Sequence, residues 1–285
     1  MRERSRTGHW APGLLSRPGI LAVATLIAVL VGVALTSSTA QGAARLAVRL
    51  AAAAKSLPRR APSAPAILAN GRVFNGTPAV GALFTGSVGH LSGHSCTASV
   101  VDSPAGDLVI TAAHCVTGST RYAFAPGYHN GWAPYGMWTV SRVFVDRAWS
   151  GSADPNDDVA FLVVKQAGRG QSIQQVTGAD KLGTGWGPVQ VVQVIGYPQN
   201  SDWPITCQAT TSAFGSEQLK FTCAGYTDGT SGGPFLAQVN PATGLGAVIG
   251  VIGGYQQGGN TPSVSYSPRF GRAVAALYRL AAAQG

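Results

Sequence analysis

Two short stretches, "TAAHCV" (Thr111 to Val116) and "DGTSGGP" (Asp228 to Pro234), lie more than a hundred residues apart and carry the residue types of nucleophilic catalysis. A serine hydroxyl is a poor nucleophile until a neighbouring base takes its proton. Ser231 stands among glycines, which leave room for a carbonyl carbon to approach. Gly229, two residues earlier, permits a turn that aims its own N–H and that of Ser231 at one point. Such a pair is an oxyanion hole, worth on the order of 3 kcal/mol per donor to the transition state. Taken alone, the stretch is equally a plain glycine-rich turn between strands. His114 ends an apolar run, and Cys115 beside it offers a disulfide that would hold a general base rigid. A lone histidine there would read as structural. Of the others, His9 belongs to the N-terminal leader, and His90, His94 and His129 have no comparable setting. His90 and His94 flank a Ser/Gly loop, where solvated or supporting roles are expected rather than metal binding.

A base needs a carboxylate to orient the imidazole and balance its charge, and "NDDVAFLVV" supplies one. Asp157 and Asp158 are neighbours, so period-two alternation sends them to opposite sides of a strand. Asp158 is the better candidate, because the apolar strand begins immediately after it. The competing reading, a cation held by Asp154, Asp157 and Asp158, lacks the spacing of an EF-hand loop, and no metal is expected.

The elements that must position these groups read as β-structure. Glycine is abundant (38 residues) and charged residues make up only 11 %, which suits an all-β chain with many turns. From Asn70 onward, short apolar runs alternate with Gly, Pro, Asn and Asp. "HSCTASVVD", "DLVITAA", "WTVSRVFV", "DVAFLVV", "VQVVQVIGY", "LKFTC", "GAVIGVIGG" and "SVSYS" read as strands of a sandwich or barrel. "GQSIQQVTGADKLGTGWGP" reads as a polar crossing between two β halves, residues 70–175 and 176–285. At the end, Phe270, Val274, Leu277, Tyr278 and Ala281 recur at helical spacing, with Arg272 and Arg279 off the stripe, so one terminal helix should pack on the body.

The N-terminus is of another kind. Arg2, Arg4, Arg6 and Arg17 precede an apolar run from Ile20 to Leu35 and then small residues, the pattern of a secretory signal peptide over residues 1–40. An uncleaved membrane anchor is the alternative, and in that case alone would the protein meet a membrane. Residues 41–69 read as a linker or pro-segment, broken by Pro58, Pro62 and Pro65, with Arg59-Arg60 a plausible processing point. Residues 1–60 hold nine Lys/Arg and one acid, and residues 61–285 hold eleven against ten. The net charge of +9 therefore belongs to the leader and its following segment, and a nucleic-acid partner is not supported. Cys96, Cys115, Cys207 and Cys223 all follow the leader, and an even number in an exported chain reads as two disulfides. Of three possible pairings, Cys96–Cys115 and Cys207–Cys223 is expected, because it closes a short loop in each half.

The order His114, Asp158, Ser231, with "TAAHC", "DVAFL" and "GTSGGP", resembles the chymotrypsin-like (trypsin-like) serine peptidases over roughly Val73 to Tyr278. "VIGYP" before Cys207 is similar to bacterial secreted members. The resemblance implies two six-stranded antiparallel Greek-key barrels, all-β apart from the C-terminal helix, with the site in the cleft between them. It implies that Ser231 attacks a peptide carbonyl, His114 shuttles the proton, Asp158 holds the imidazole tautomer, and an acyl-enzyme is hydrolysed by water. The implied protein is a secreted serine endopeptidase acting on protein or peptide substrate, without cofactor, as a monomer. The alternatives are an esterase, or a secreted binding module on a catalytically silent peptidase scaffold. An esterase elbow needs a strand–turn–helix setting, whereas "GGPFLAQV" after Ser231 reads as a strand.

Three departures from the family bear on specificity. Trypsin has an aspartate before the serine that pairs with a new N-terminus; Thr230 cannot make that ion pair. Where trypsin keeps an acid at the pocket floor this chain has Gly225, followed by Tyr226, so preference for Arg or Lys is not implied. Glutamate-specific relatives carry a histidine where Val251 and Ile252 stand. Asp228 is expected near the pocket rim, and Gly253 and Gly254 form either an edge for substrate backbone or a tight turn.

Overall fold

The computed structural model describes residues 68–117, 121–168 and 170–285; the leader, Arg59-Arg60 and most of the linker lie outside these residues. Fifteen strands follow in order: β1 (Arg72–Val73), β2 (Val80–Ser87), β3 (His90–Val101), β4 (Leu108–Thr111), β5 (Tyr122–Pro126), β6 (Trp138–Val145), β7 (Ala160–Lys165) and β8 (Lys181–Leu182). Then come β9 (Val191–Gly196), β10 (Ile205–Thr210), β11 (Ser212–Phe214), β12 (Gln218–Thr222), β13 (Pro234–Ala237), β14 (Ala247–Val251) and β15 (Val264–Pro268). Three α-helices interrupt or end them: α1 (Arg147–Ser152), α2 (Ile173–Thr177) and α3 (Arg272–Ala282). No helix among the described residues is long and apolar enough to cross a membrane.

The first half closes as expected into a six-stranded barrel, β2-β3-β4-β7-β6-β5. The second half divides its ladder between a six-stranded sheet, β1-β10-β9-β13-β14-β8, and a three-stranded one, β11-β12-β15. Both sheets contribute to one core in which Val192, Val194, Phe221, Phe235 and Ile249 meet, so the two enclose a common interior. The ladder breaks where Gly250 faces Ser267: a Cβ on Gly250 would come within 2.4 Å of the Ser267 hydroxyl, which instead donates to Pro268 O and accepts from Val251 N. Strand β1, read with the first half, pairs with β10 of the second, and β8 joins β14 in parallel.

Side-chain alternation explains why near-continuous apolar runs are needed here. In β4, Val109 points into the barrel core while Leu108 and Ile110 point into the layer between the halves. In β7, Ala160, Leu162 and Val164 face the barrel interior, and Phe161 and Val163 face the same middle layer. Strands covered on both faces have no solvent side, so a period-two polar pattern disappears. Each fully buried Val, Leu, Ile or Phe side chain contributes roughly 1.5–3 kcal/mol. The terminal helix α3 buries Val274, Leu277 and Ala281 in that middle layer, and Tyr278 donates its hydroxyl to Asp102 O at 2.7 Å. The disulfides are Cys96–Cys115 and Cys207–Cys223, closing sequence separations of 19 and 16 residues. Loops of that length stabilise by about 3 kcal/mol each through the unfolded state.

Helix α2 lies inside the stretch read as a polar crossing between the halves. Its capping box, Ser172 with Gln175, is a sequence signal hidden by the surrounding glycines. Just after it, Asp180 ties the halves together. Ser99 of β3 donates to its Oδ2 at 2.7 Å, and Gly246 N donates to its Oδ1 at 2.8 Å. Burial pushes this carboxyl up to about 6 from 3.8, against the pull of those two hydrogen bonds. A raised folded-state pKa means the fold favours the protonated form. The stabilisation is therefore complete below pH 4 or so and is lost as pH rises through about 6, a change on the order of 3 kcal/mol. Asp180→Asn keeps an acceptor for Gly246 and removes the titration. Its melting temperature should exceed the parent's at pH 7 and approach it at pH 4, as calorimetry at the two pH values would read; an equal offset at both would contradict this.

Candidate active site

His114 sits on the 3-10 turn Ala113–Cys115 that follows β4, and the Cys96–Cys115 bond fastens the turn to β3. Asp158 closes a second such turn, Pro155–Asp157, directly before β7, where Asp154 caps by accepting from Asn156 N. Since β4 and β7 are paired, Thr111 opposite Ala160, the two turns emerge side by side at the same barrel end. Asp158 is fully buried, whereas Asp157 is half-buried on the turn.

The buried carboxylate takes three N–H donors. Its Oδ1 accepts from His114 N at 2.8 Å, and its Oδ2 lies 2.7 Å from His114 Nδ1 and accepts from Gly254 N at 2.9 Å. A carboxylate can only accept, so Nδ1 carries the proton and Nε2 keeps its lone pair in the neutral ring. Asp157 stands apart: burial raises its pKa, as do the charges of Asp146, Asp154 and Glu217.

Ser231 and His114 line one cleft of about 740 Å3, together with Asp228, Gly229, Gln199 and Gln257. The Ser231 hydroxyl makes no hydrogen bond among the described residues, and neither backbone N–H of Gly229 and Ser231 has a protein acceptor there. The loop holding them is tightly braced. Thr230 donates its hydroxyl to Thr227 O at 2.7 Å, Gly233 N donates to Thr230 O, and Gly232 N donates to Ile252 O. Gly229 has φ +91°, and a Cβ there would approach Gln199 N to 2.4 Å. Gly232, at φ +79°, would drive one to 2.1 Å from the Thr111 hydroxyl. Both positions need glycine for conformation and for space.

Thr97, next to the disulfide in β3, is a supporting residue that sequence reasoning missed. Its N–H donates to Ser231 O at 2.7 Å, its hydroxyl donates to Gly229 O at 2.9 Å, and Tyr197 N donates to that hydroxyl at 2.8 Å. This fully buried threonine thus joins the first barrel to the loop of the second half. The missing signal is distance: its partners lie 132 and 100 residues away.

Beside Ser231 opens a side pocket of about 240 Å3, whose buried lining is Tyr226, Thr230, Ile252, Gly258 and Ser265. Tyr226 and Asp228 line it, Asp228 being exposed at the rim. Tyr226 is anchored in the wall by donating its hydroxyl to Val194 O at 2.8 Å. Gly225 lies behind, against Asn70 and Ile205. Gly253 and Gly254 back onto Asp158 and have their N–H groups engaged, Gly253 to Tyr266 O and Gly254 to the carboxylate. Cys96, His114 and Cys115 bring sulfur and nitrogen within 4.8 Å, but both sulfurs are tied in the disulfide and offer no thiolate to a metal.

Against this geometry, the family model described as Trypsin matches residues 73–270. Among solved structures, the protease Anisep from Arthrobacter nicotinovorans is similar at 25% identity and TM-score 0.64, over 75% of this chain and 99% of that one. A thermostable serine protease, AL20, from an extremophilic microorganism is similar at 26% identity and TM-score 0.64, over 73% and 99%. Human heparin binding protein shares the fold at 15% identity and TM-score 0.52, over 71% and 91%. No curated protein matches the sequence.

Proposed function

The chain belongs to the trypsin family of serine peptidases, and from that premise we propose that it is a secreted serine endopeptidase with Ser231 as nucleophile, His114 as general base and Asp158 as its orienting carboxylate. The observation that carries this reading is the pair of N–H groups of His114 seated on one buried carboxylate, which leaves Nε2 beside a cleft shared with Ser231. In the proposed reaction Nε2 takes the hydroxyl proton as Ser231 Oγ attacks a peptide carbonyl carbon. The oxyanion then meets the N–H groups of Gly229 and Ser231, which have no acceptor among the described residues. His114 returns the proton to the leaving amine, and water, activated by the same imidazole, hydrolyses the acyl-enzyme. The Asp158 charge stabilises the imidazolium in both halves of the reaction.

Ser231 is followed by strand β13, which supports a peptidase over an esterase elbow. The two disulfides support an exported protein.

The side pocket bears on which bond is cut. Its buried lining holds no ionisable group but the Tyr226 phenol, whose pKa burial raises. A neutral side chain before the scissile bond should therefore be preferred, since a buried charge without a partner is costly. On a library of fluorogenic peptides, kcat/KM for neutral residues should exceed that for Arg, Lys or Glu by about tenfold or more. Cleavage of no peptide would overturn the peptidase reading, and cleavage confined to charged residues would overturn the pocket assignment.

A further inference from the structure

A strip of aromatic rings stands where the first barrel meets the loop between β9 and β10. Its first part is the turn "HNGW", in which His129 N donates to Trp132 O at 3.1 Å and Trp132 N donates back to His129 O at 2.9 Å. Asn130 at φ +50° and Gly131 at φ +73° make the two-residue left-handed turn that suits a tight hairpin. Trp132 is held rigidly by this backbone yet is 61% exposed. The second part is Trp203, half-buried, whose backbone N–H donates to the Ser201 hydroxyl at 3.1 Å. His129 joins them, its ring 5.4 Å from Trp132 and 5.8 Å from Trp203, and its Nδ1 lies 2.8 Å from Gly127 O.

Beside these rings is Asp202, the one carboxylate in either segment. Tyr128 donates its hydroxyl to Oδ1 at 2.6 Å, and Asn130 N donates to the Asp202 carbonyl at 2.8 Å. Oδ2 makes no hydrogen bond among the described residues and stands 4.0 Å from the Cβ position of Gly131, over the hairpin tip. A carboxylate with one oxygen free of hydrogen bonds among the described residues, set beside the exposed indole of Trp132 and the half-buried one of Trp203, is the chemistry that recognises a cation: the π faces attract it and the carboxylate pairs with it. A planar guanidinium uses both at once, stacking on a ring while its edge reaches the oxygen.

We propose that Trp132, His129, Trp203 and Asp202 form a binding site for an arginine-bearing segment of an extended polypeptide, separate from the cleft. The loop that carries Trp203 begins at the cleft, where Gln199 lines the wall and donates its N–H to Asp228 O at 2.7 Å. A polypeptide lying in the cleft can therefore continue to the strip. Calling this ligand a substrate rests on the peptidase reading; the binding itself does not.

The test is titration of the Ser231→Ala protein, which removes turnover, with the peptide acetyl-Gly-Arg-Gly-Arg-Gly-amide, following tryptophan fluorescence and calorimetry. Saturable binding is expected, weakened about tenfold or more by Asp202→Asn, by Trp132→Ala, and by replacing arginine with uncharged citrulline. Asp202→Asn retains an oxygen for Tyr128, and Trp132 is exposed, so circular dichroism should show both variants folded. Equal binding of the citrulline peptide, stronger binding of a neutral chito-oligosaccharide, insensitivity to Asp202→Asn, or no binding at millimolar peptide would each overturn the site. Absence of peptidase activity with intact arginine binding would sink the catalytic proposal and leave this one standing.

Discussion

Ser231→Ala should lower kcat for peptide cleavage by about 10^6, the scale of loss when the nucleophile of such a triad is removed. The size follows from what remains. The substitution deletes one oxygen that has no hydrogen-bond partner among the described residues, so the loop, braced by Thr97, Thr230 and Gly232, should keep its shape. The N–H groups of Gly229 and Ser231 survive, and with substrate binding they leave a residual enhancement of roughly 10^3–10^4 over water. Stability should be unchanged within about 0.5 kcal/mol, since no buried contact is lost. Initial rates with an active-site-titrated parent would read the ratio. A variant with a tenth of parental activity and native circular dichroism would mean that another group attacks.

Asp158→Asn should cost about 10^4 in kcat while leaving substrate affinity nearly intact. The three donors around Asp158 all require an acceptor: His114 N at Oδ1, and His114 Nδ1 and Gly254 N at Oδ2. An amide has one oxygen, so its amino group must face an N–H whichever way it turns. Set against the ring, it drives the proton from Nδ1 to Nε2, and the imidazole can no longer accept from Ser231. Set against His114 N, it leaves the tautomer intact but removes the buried negative charge that balances the imidazolium. Either placement also leaves a buried donor unpaired, a stability cost of about 1–3 kcal/mol. The combination is diagnostic: a large fall in kcat, little change in KM, and a lowered melting temperature. Full activity with a lowered melting temperature would assign Asp158 to structure alone.

The parts of the site legible in sequence are those whose chemistry is local. "TAAHC" names a histidine and its anchor together, "GTSGGP" names a hydroxyl and the glycines that make room for it, and the apolar run after Asp158 singles out the buried one of two aspartates. Thr97 and the Gly254 donor carry no such mark, because their roles arise from contacts made only when distant strands meet. The same holds for specificity: Tyr226 is the residue after Gly225, yet one lines the pocket and the other packs behind it on Asn70. For the fold, apolar runs bounded by turn residues mark many of the strands and helical spacing marks the terminal helix, whereas β2, β5, β10 and β11 lie outside the runs read as strands. The division of the second half into two sheets, with Gly250 close against Ser267 where they meet, is announced by no local pattern. The aromatic strip mixes both kinds, an Asn-Gly turn that is a local signal and a partner tryptophan 71 positions further on.

The most direct test of one nucleophilic centre is covalent. The folded protein is treated with a fluorophosphonate, and the adduct is mapped by peptide mass spectrometry. Stoichiometric modification of Ser231 is expected, sharply slowed in Asp158→Asn and absent after denaturation. An adduct on a different residue, or none on folded protein that still cleaves peptides, would contradict it.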